Sequence, residues 1–265
     1  MFIFCVTNSE LKYLEQLPVK LVGVGKNIFS KKYISCLNGK NIQKKEKNYS
    51  ELTFHYWFWK NKLKFYNTNS WIGFCQKRRF WAKENNNTEV NKKNIYEFIL
   101  NEPDKSWKNF NSIVCKPIVV NKIKKIKMIK RGYRSLIKNP YLFFDPKKRS
   151  IKFHFDMHHG YGNLDKAIDV MDNKDRNEFR EYVNNFTYYN PHIMFIAKSE
   201  ILNKWFTDLF SWLFECEKVF GIRNLSGYDT KRLYAYLAER YLSFWFMKYT
   251  NKLEWQWLFL DYDSN

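Results

Sequence analysis

The chain has 265 residues, a formal net charge of +20, 45% hydrophobic residues and 20% aromatic residues. That length suits one large α/β domain or two small ones, and the apolar share is ample for a core. Five scattered cysteines without a Cys-x-x-Cys pair exclude a zinc ribbon or disulfide framework and fit a reducing cytoplasm.

The cation excess favours anionic partners: nucleic acid, acidic lipid or phosphorylated small molecules. An A/T-rich genome would supply the same abundance of Lys, Asn, Ile, Phe and Tyr without any selection for binding. No uncharged apolar stretch reaches the roughly 18 residues needed to span a bilayer.

In chain order, residues 2–6 form an apolar run with no basic flank, which predicts a buried first strand rather than a signal peptide. Residues 21–25 predict a second strand that turns at Gly25, and the Lys- and Asn-rich residues 26–48 predict an extended loop. Asn48 or Ser50 can cap a helix that runs to Asn61. Residues 71–75 predict a short buried strand that ends abruptly at the cations Lys77, Arg78 and Arg79. Residues 81–94, with Asn85, Asn86 and Asn87, predict a surface loop, and 95–100 a helical turn. Strand is expected at 112–115 and 118–120, interrupted by Pro117.

Residues 122–134 are intensely basic, and the spacing of their Ile and Met side chains leaves helix and strand open. Residues 154–163 predict a loop, because Gly160 and Gly162 argue against a helix; 175–185 predict a helix. A buried strand is expected at 192–197. Ser199 then caps a long helix whose apolar side chains recur from Ile201 to Cys216, and a last helix runs over 230–248. Without repeats or a Gly/Ser linker, one α/β domain over 1–265 is the simplest architecture.

Several residues carry candidate chemistry. Thr7 and Asn8 end the first strand, where ligands bind in open α/β sheets. Arg78 and Arg79, at a strand end beside a helix N-terminus, suit a phosphate. Glu51 and Thr53 fall in a first helical turn, where capping and the helix dipole explain an acidic residue on their own, and capping is the expected job of Glu51. Trp57 and Trp59 either stack on a sugar or base or pack in the core. Asp156, His158 and His159 form the densest titratable cluster; a His beside an Asp can take a proton from an acceptor hydroxyl, and a plain surface loop is the alternative. His154 and His158 have metal-ligand spacing only in a helix, and no third ligand is evident. Glu239-Arg240 reads as a buried pair or as part of a site. The only Asp-x-Asp is Asp261-Tyr262-Asp263, near the end of the sequence.

The run Asn41-Ile42, then Tyr49-Ser50-Glu51-Leu52-Thr53 with Tyr56-Trp57-x-Trp59-Lys60-Asn61, then Ile72-Gly73-Phe74-Cys75 and Arg78-Arg79-Phe80, resembles one family. It is the capsular and exopolysaccharide biosynthesis proteins that carry domain of unknown function 4422, some of them assigned as galactofuranosyltransferases. The segments Trp212-Leu213-Phe214 and Tyr236-Leu237-Ala238-Glu239-Arg240 agree more loosely. The resemblance implies a single GT-A-like α/β domain, with a central mixed sheet flanked by helices and a helical C-terminal part. Residues 1–120 would hold a nucleotide sugar, and 150–250 would form the acceptor side. The implied activity is hexosyl transfer, of galactofuranose among other sugars, from a uridine-diphosphate donor to a glycan or lipid-linked acceptor.

On this reading the donor residues are Thr7, Asn8, Asn41, Glu51, Thr53, Trp57, Lys60, Gln76, Arg78, Arg79 and Arg240. His158, Asp156 and Glu239 would be catalytic, and His159 and Asn190 would meet the acceptor. No residue is assigned to a metal, while a manganese or magnesium ion stays open as cofactor. The family's His-Tyr-Arg-Arg is Gln76-Lys77-Arg78-Arg79 here, which admits an inactive scaffold as an alternative. A basic nucleic-acid-binding protein is the other, although no nucleic-acid motif is visible. Residues 122–134 and the aromatic segment 241–260 would keep a cytoplasmic enzyme at the anionic inner face of a membrane.

Overall fold

The computed structural model describes residues 1–83, 90–227 and 229–261. The expected Asn85–Asn87 loop and Asp263 of the Asp-x-Asp lie outside the described residues. Strands are β1 (Phe2–Thr7), β2 (Lys20–Gly23), β3 (Ile34–Ser35), β4 (Trp71–Gln76), β5 (Arg79–Trp81), β6 (Ser112–Cys115), β7 (Ile118–Val119), β8 (Tyr188–Tyr189), β9 (Phe195–Lys198), β10 (Lys252–Trp255) and β11 (Trp257–Phe259). Helices are α1 (Glu46–Tyr49), α2 (Leu52–Asn61), α3 (Ile95–Phe98), α4 (Lys125–Lys138), α5 (Tyr141–Phe144), α6 (Ile151–His159), α7 (Asn163–Asp169), α8 (Asn173–Asn185), α9 (Ser199–Phe220) and α10 (Leu233–Tyr249).

The chain divides into two compact units. The first comprises Met1–Lys116, His192–Thr207 and Trp245–Asn265; the second comprises Pro117–Pro191 and Asp208–Phe244.

The first unit holds a mixed sheet in the order β10-β6-β9-β4-β1-β2-β3, with β5 on β4 and β11 on β5. β1, β2, β3 and β4 run parallel, so their carboxyl ends share one edge of the sheet. β9 runs antiparallel to both β4 and β6. β1 is central and buried on both faces, which is why it reads as continuous apolar sequence. On one face Phe4, Phe74 and Phe195 pack with Phe54, His55 and Phe58 of α2; the Phe74 ring lies 4.4 Å from His55 and 5.0 Å from Phe195. On the other, Ile3, Cys5, Cys75, Ile113 and Ile196 pack with Trp81 and Trp107. Gly73 lies where β1, β4 and β9 meet, and a Cβ there would stand 2.8 Å from Ile196 Cγ1.

The second unit is helical apart from the β7–β8 pair. Phe179, Tyr182, Trp212, Tyr241 and Phe244 form its aromatic core. Trp212 Nε1 donates to the Ala167 carbonyl at 2.7 Å, and the Tyr241 hydroxyl donates to buried Asp175 at 2.6 Å. A smaller cluster of Met128, Leu142, Phe153 and Met157 fixes α4 and α5 on α6.

Four sequence expectations are corrected. The loop expected at 154–163 is α6: Ser150 caps its start by accepting from Phe153 N, and Gly160, at φ 95°, ends it rather than preventing it. The cationic strand end is a hairpin, with Lys77 and Arg78 at its turn and Arg79 already in β5. Trp81 and Ala82, placed in a surface loop, are buried, Trp81 in β5 and Ala82 bridged to Ile99. Ser199 is the first helical residue of α9, and its hydroxyl donates to Asn67 O instead of capping. The undecided basic block is α4. Half of the aromatic side chains of 241–260 turn inward: Tyr241, Phe244, Trp245 and Phe246 are buried, while Phe259 is exposed.

Candidate active site at the strand carboxyl ends

In the first unit, register places Gln76 of β4 beside Val6 of β1, one residue before Thr7. Gln76 is a hub. Its Nε2 donates to the Glu51 carboxylate and to the His192 carbonyl at 2.7 Å, and its Oε1 accepts from Arg79 Nη1 at 3.3 Å. Glu51 precedes α2 but caps nothing with its side chain; it reaches the sheet instead. The helix begins this way because Ser50, at φ 52°, breaks it from α1. The other positive-φ residues other than glycine, among those described, are His192 (78°) and Ile193 (50°). A β-branched residue there is strained, and such strain gathers where a backbone is held for function. All three border the Gln76 network.

One strand over, Thr7 is buried and its hydroxyl donates to Ser9 O at 2.6 Å. Lys77 Nζ bridges Asn8 Oδ1 (2.7 Å) and Ser9 Oγ (3.0 Å), while Tyr13 donates its hydroxyl to the Lys77 carbonyl. Beyond the ends of β2 and β3 opens a cavity of about 390 Å³ lined by Gly25, Asn41, Gln43, Glu46 and the lysines 26, 44 and 47. Gln43 Nε2 donates to Gly25 O at 3.1 Å, and its buried Oε1 has no protein partner. An unsatisfied amide oxygen at a cation-rich cavity suits a ligand that brings an N–H donor together with negative charge.

The sequence predicts an extended loop over residues 26–48 and takes only Asn41 from it as a donor residue. The signal that reading overlooked was the lysine spacing beside Gly25, at the end of a parallel strand.

The remaining expected donor residues of this unit mostly build the frame. Asn41 donates to the Leu37 and Gly39 carbonyls, at 2.9 Å each, and shapes the cavity loop. Thr53 donates to Ser50 O at 2.8 Å. Trp57 is buried and donates to Asn38 O at 2.6 Å, so it packs and pins that same loop. Lys60 is exposed, with its ammonium 3.0 Å from the centre of the Trp59 ring. Arg78 is part-exposed and pairs with Asp261 at 2.8 Å, with its guanidinium over Phe259.

The other expected site residues belong to the second unit. Asp156 and His158 lie two apart on α6 and face different ways. Asp156 accepts from Lys152 Nζ at 2.9 Å and from Gly162 N at 3.0 Å, which anchors the turn into α7. Burial raises its carboxyl above the ordinary range against the pull of Lys152. His158 Nδ1 contacts the His154 carbonyl at 2.9 Å, and His159 stacks on Tyr236 at 3.7 Å. Burial, helped by the Arg240 charge, pushes both His154 and His159 down to about 2. Imidazoles so reluctant to take a proton are poor general bases near neutrality.

Arg240 is buried, pairs with Glu239 and lies 3.9 Å from the centre of the Tyr189 ring. Asn190 N donates to Ser243 Oγ at 2.6 Å. Among the described residues, no three His, Cys, Asp or Glu side chains gather where a metal ion could be held. No helix among the described residues is long and apolar enough to cross a membrane.

Comparison with known proteins adds three findings. No curated protein matches the sequence. Among solved structures, the apo structure of WbbM, a bifunctional glycosyltransferase, matches with a TM-score of 0.70 at 18% identity. The match covers all of this chain and 45% of that one, so this chain spans about half the length of WbbM. It shows the fold: the mixed sheet with flanking helices is the GT-A-like α/β arrangement. The model of the family described as Domain of unknown function (DUF4422) matches residues 3–252, and the chain belongs to that family.

Proposed function

We propose that the chain is a glycosyltransferase that moves a sugar from a nucleoside-diphosphate donor to a glycan acceptor. The observation that carries this is the carboxyl edge of the parallel strands. There a strained backbone, the Gln76 hub and a lysine-lined cavity with an unsatisfied amide oxygen converge within one unit. The fold shared with a glycosyltransferase supports the same reading.

A departing nucleoside diphosphate carries negative charge that must be met as the bond to the sugar breaks. Lys26, Lys44 and Lys47 at the cavity, with Lys77 and Arg79 at the strand ends, supply cations for it. Gln43 Oε1 would accept an N–H from the base, and uridine diphosphate as the carrier rests on the family resemblance. Glu51 is the carboxylate at this edge, and we assign it to the acceptor hydroxyl or the sugar. Gln76, standing where the family has His, orients Glu51 and Arg79 without itself exchanging a proton. Galactofuranose as the sugar, and a capsular or other surface polysaccharide as the product, rest on the family resemblance.

Thermal unfolding with uridine, guanosine and adenosine diphosphates tests the base. A ligand at about a hundred times its Kd adds about 2.7 kcal/mol of stability. The uridine compound should give the largest upward shift, and Arg79→Ala or Gln43→Ala should abolish it. Absence of a shift with every nucleotide overturns the reading.

A further inference from the structure

The helix α4 has three faces rather than two. Met128, Gly132 and Ser135 are buried against the second unit's own core. At about 100° per residue, Ile126, Ile129, Tyr133 and Ile137 fall within an arc of about 80°. All four side chains are exposed, from 50% for Tyr133 to 76% for Ile137. Tyr141 and Phe144 of the following α5 are as open to solvent. Beside that stripe lies a cationic arc of Lys127, Lys130, Arg131, Arg134 and Lys138, and the helix contains no acidic residue. Arg131 has a partner, Asp229, at 3.2 Å.

A soluble surface scatters its large apolar side chains singly; six in succession, bordered by cations of one sign, mark a docking face. We infer that α4 and α5 form a membrane-binding face: the apolar stripe enters the interfacial region while the cationic arc meets anionic lipid headgroups. The choice of occupant follows from charge complementarity, because a cationic arc along an exposed apolar stripe is the pattern of an interfacial helix. Each lysine or arginine near an anionic surface adds attraction that fades within a Debye length, and each apolar side chain adds attraction that salt leaves intact. The inference stands on this face alone and holds whatever reaction the strand-end site performs.

The test is flotation of the whole protein with phosphatidylcholine vesicles, with and without phosphatidylglycerol, at low and high salt. Binding should require phosphatidylglycerol and weaken as salt rises. The double variant Ile129→Ser/Ile137→Ser keeps every charge and should lower the partition coefficient roughly tenfold or more. Lys127→Glu/Lys130→Glu should lower it by a similar factor at low salt. Because all four side chains are exposed, unfolding temperatures should stay close to that of the parent. Three results would overturn the inference: no binding at low salt, serine variants that bind as well as the parent, or sedimentation showing a dimer that the serine variants dissolve. The last would assign the face to a second copy of the chain.

Discussion

Two polar clusters in this molecule invite comparison. In the helical unit, three histidines and an aspartate crowd onto one short helix; Asp156 and His158 find partners within six residues, while His159 meets the Asp229 carbonyl and His154 the Arg240 guanidinium. In the sheet unit, one glutamine ties Glu51 and the His192 carbonyl, from segments far apart in sequence, to Arg79 across its own hairpin. The first cluster is dense in sequence, and within it Asp156 anchors the turn into α7. The second is sparse in sequence, sits where parallel strands end, and is bordered by strained backbone. On the proposed reading, density of titratable side chains is a weaker guide to chemistry than their position on the fold.

This contrast can be broken. The largest effect is expected from Gln76→Ala, which strips partners from Glu51 and Arg79 together. Turnover with a nucleotide-sugar donor should fall about a hundredfold, the scale seen when a group positioning reacting charges is removed. Asp156→Asn should leave turnover within a few-fold, since that carboxylate anchors a turn. If Asp156→Asn were the more damaging to turnover, the assignment of roles would be reversed.

Next comes Gly73→Val, which forces extra carbon against Ile196 and should cost about 1–3 kcal/mol of stability without touching either cluster. Thermal unfolding measures it, and an unchanged transition would refute the tight crossing of β1, β4 and β9.

A third test uses pH. His154 and His159 are held near 2 when folded, against about 6.5 in the unfolded chain, so folding excludes two protons. Their neutral burial is fully tolerated above about pH 6.5, and stability falls as pH drops below that toward the folded value. Each such group adds a slope of up to about 1.4 kcal/mol per pH unit. The slope between pH 6.5 and 4.5 should flatten in His154→Asn/His159→Asn, while His55 of the sheet unit, pushed to about 3 by burial, keeps its share.

The smallest effect is Asp261→Asn, which breaks a solvent-exposed pair with Arg78 and should change stability by less than about 1 kcal/mol. A larger loss would mean that the last described residues clamp the hairpin turn.

Much of the fold was legible because its signals are local. β1, β4 and β9 are apolar runs of strand length, and α9 shows helical spacing over several turns. The elements that escaped have signals that depend on distant neighbours. β5, β10 and β11 are three or four residues long and mix Arg, Lys, Glu and Trp, so only their partners make them strands. α6 was hidden by two glycines that lie just past its end. The site was half legible: Glu51, Gln76, Arg79, Thr7 and Asn8 stood out through position and resemblance. Gln43 and the cavity lysines did not, since nothing local distinguishes a solvated lysine loop from one folded over strand ends.

The strand order also sets a schedule for folding. β6 takes as its neighbour β10, whose first residue follows it by more than half the length of the chain, and β5 takes β11. On a ribosome, β6 must wait with an open hydrogen-bonding edge until residues 252–255 emerge. Exposed edges of that kind recruit other chains, and pairings so distant in sequence close slowly. A chain interrupted just before Lys252 would therefore lose more than two short strands: it would keep the whole candidate site and still be the form most prone to aggregate.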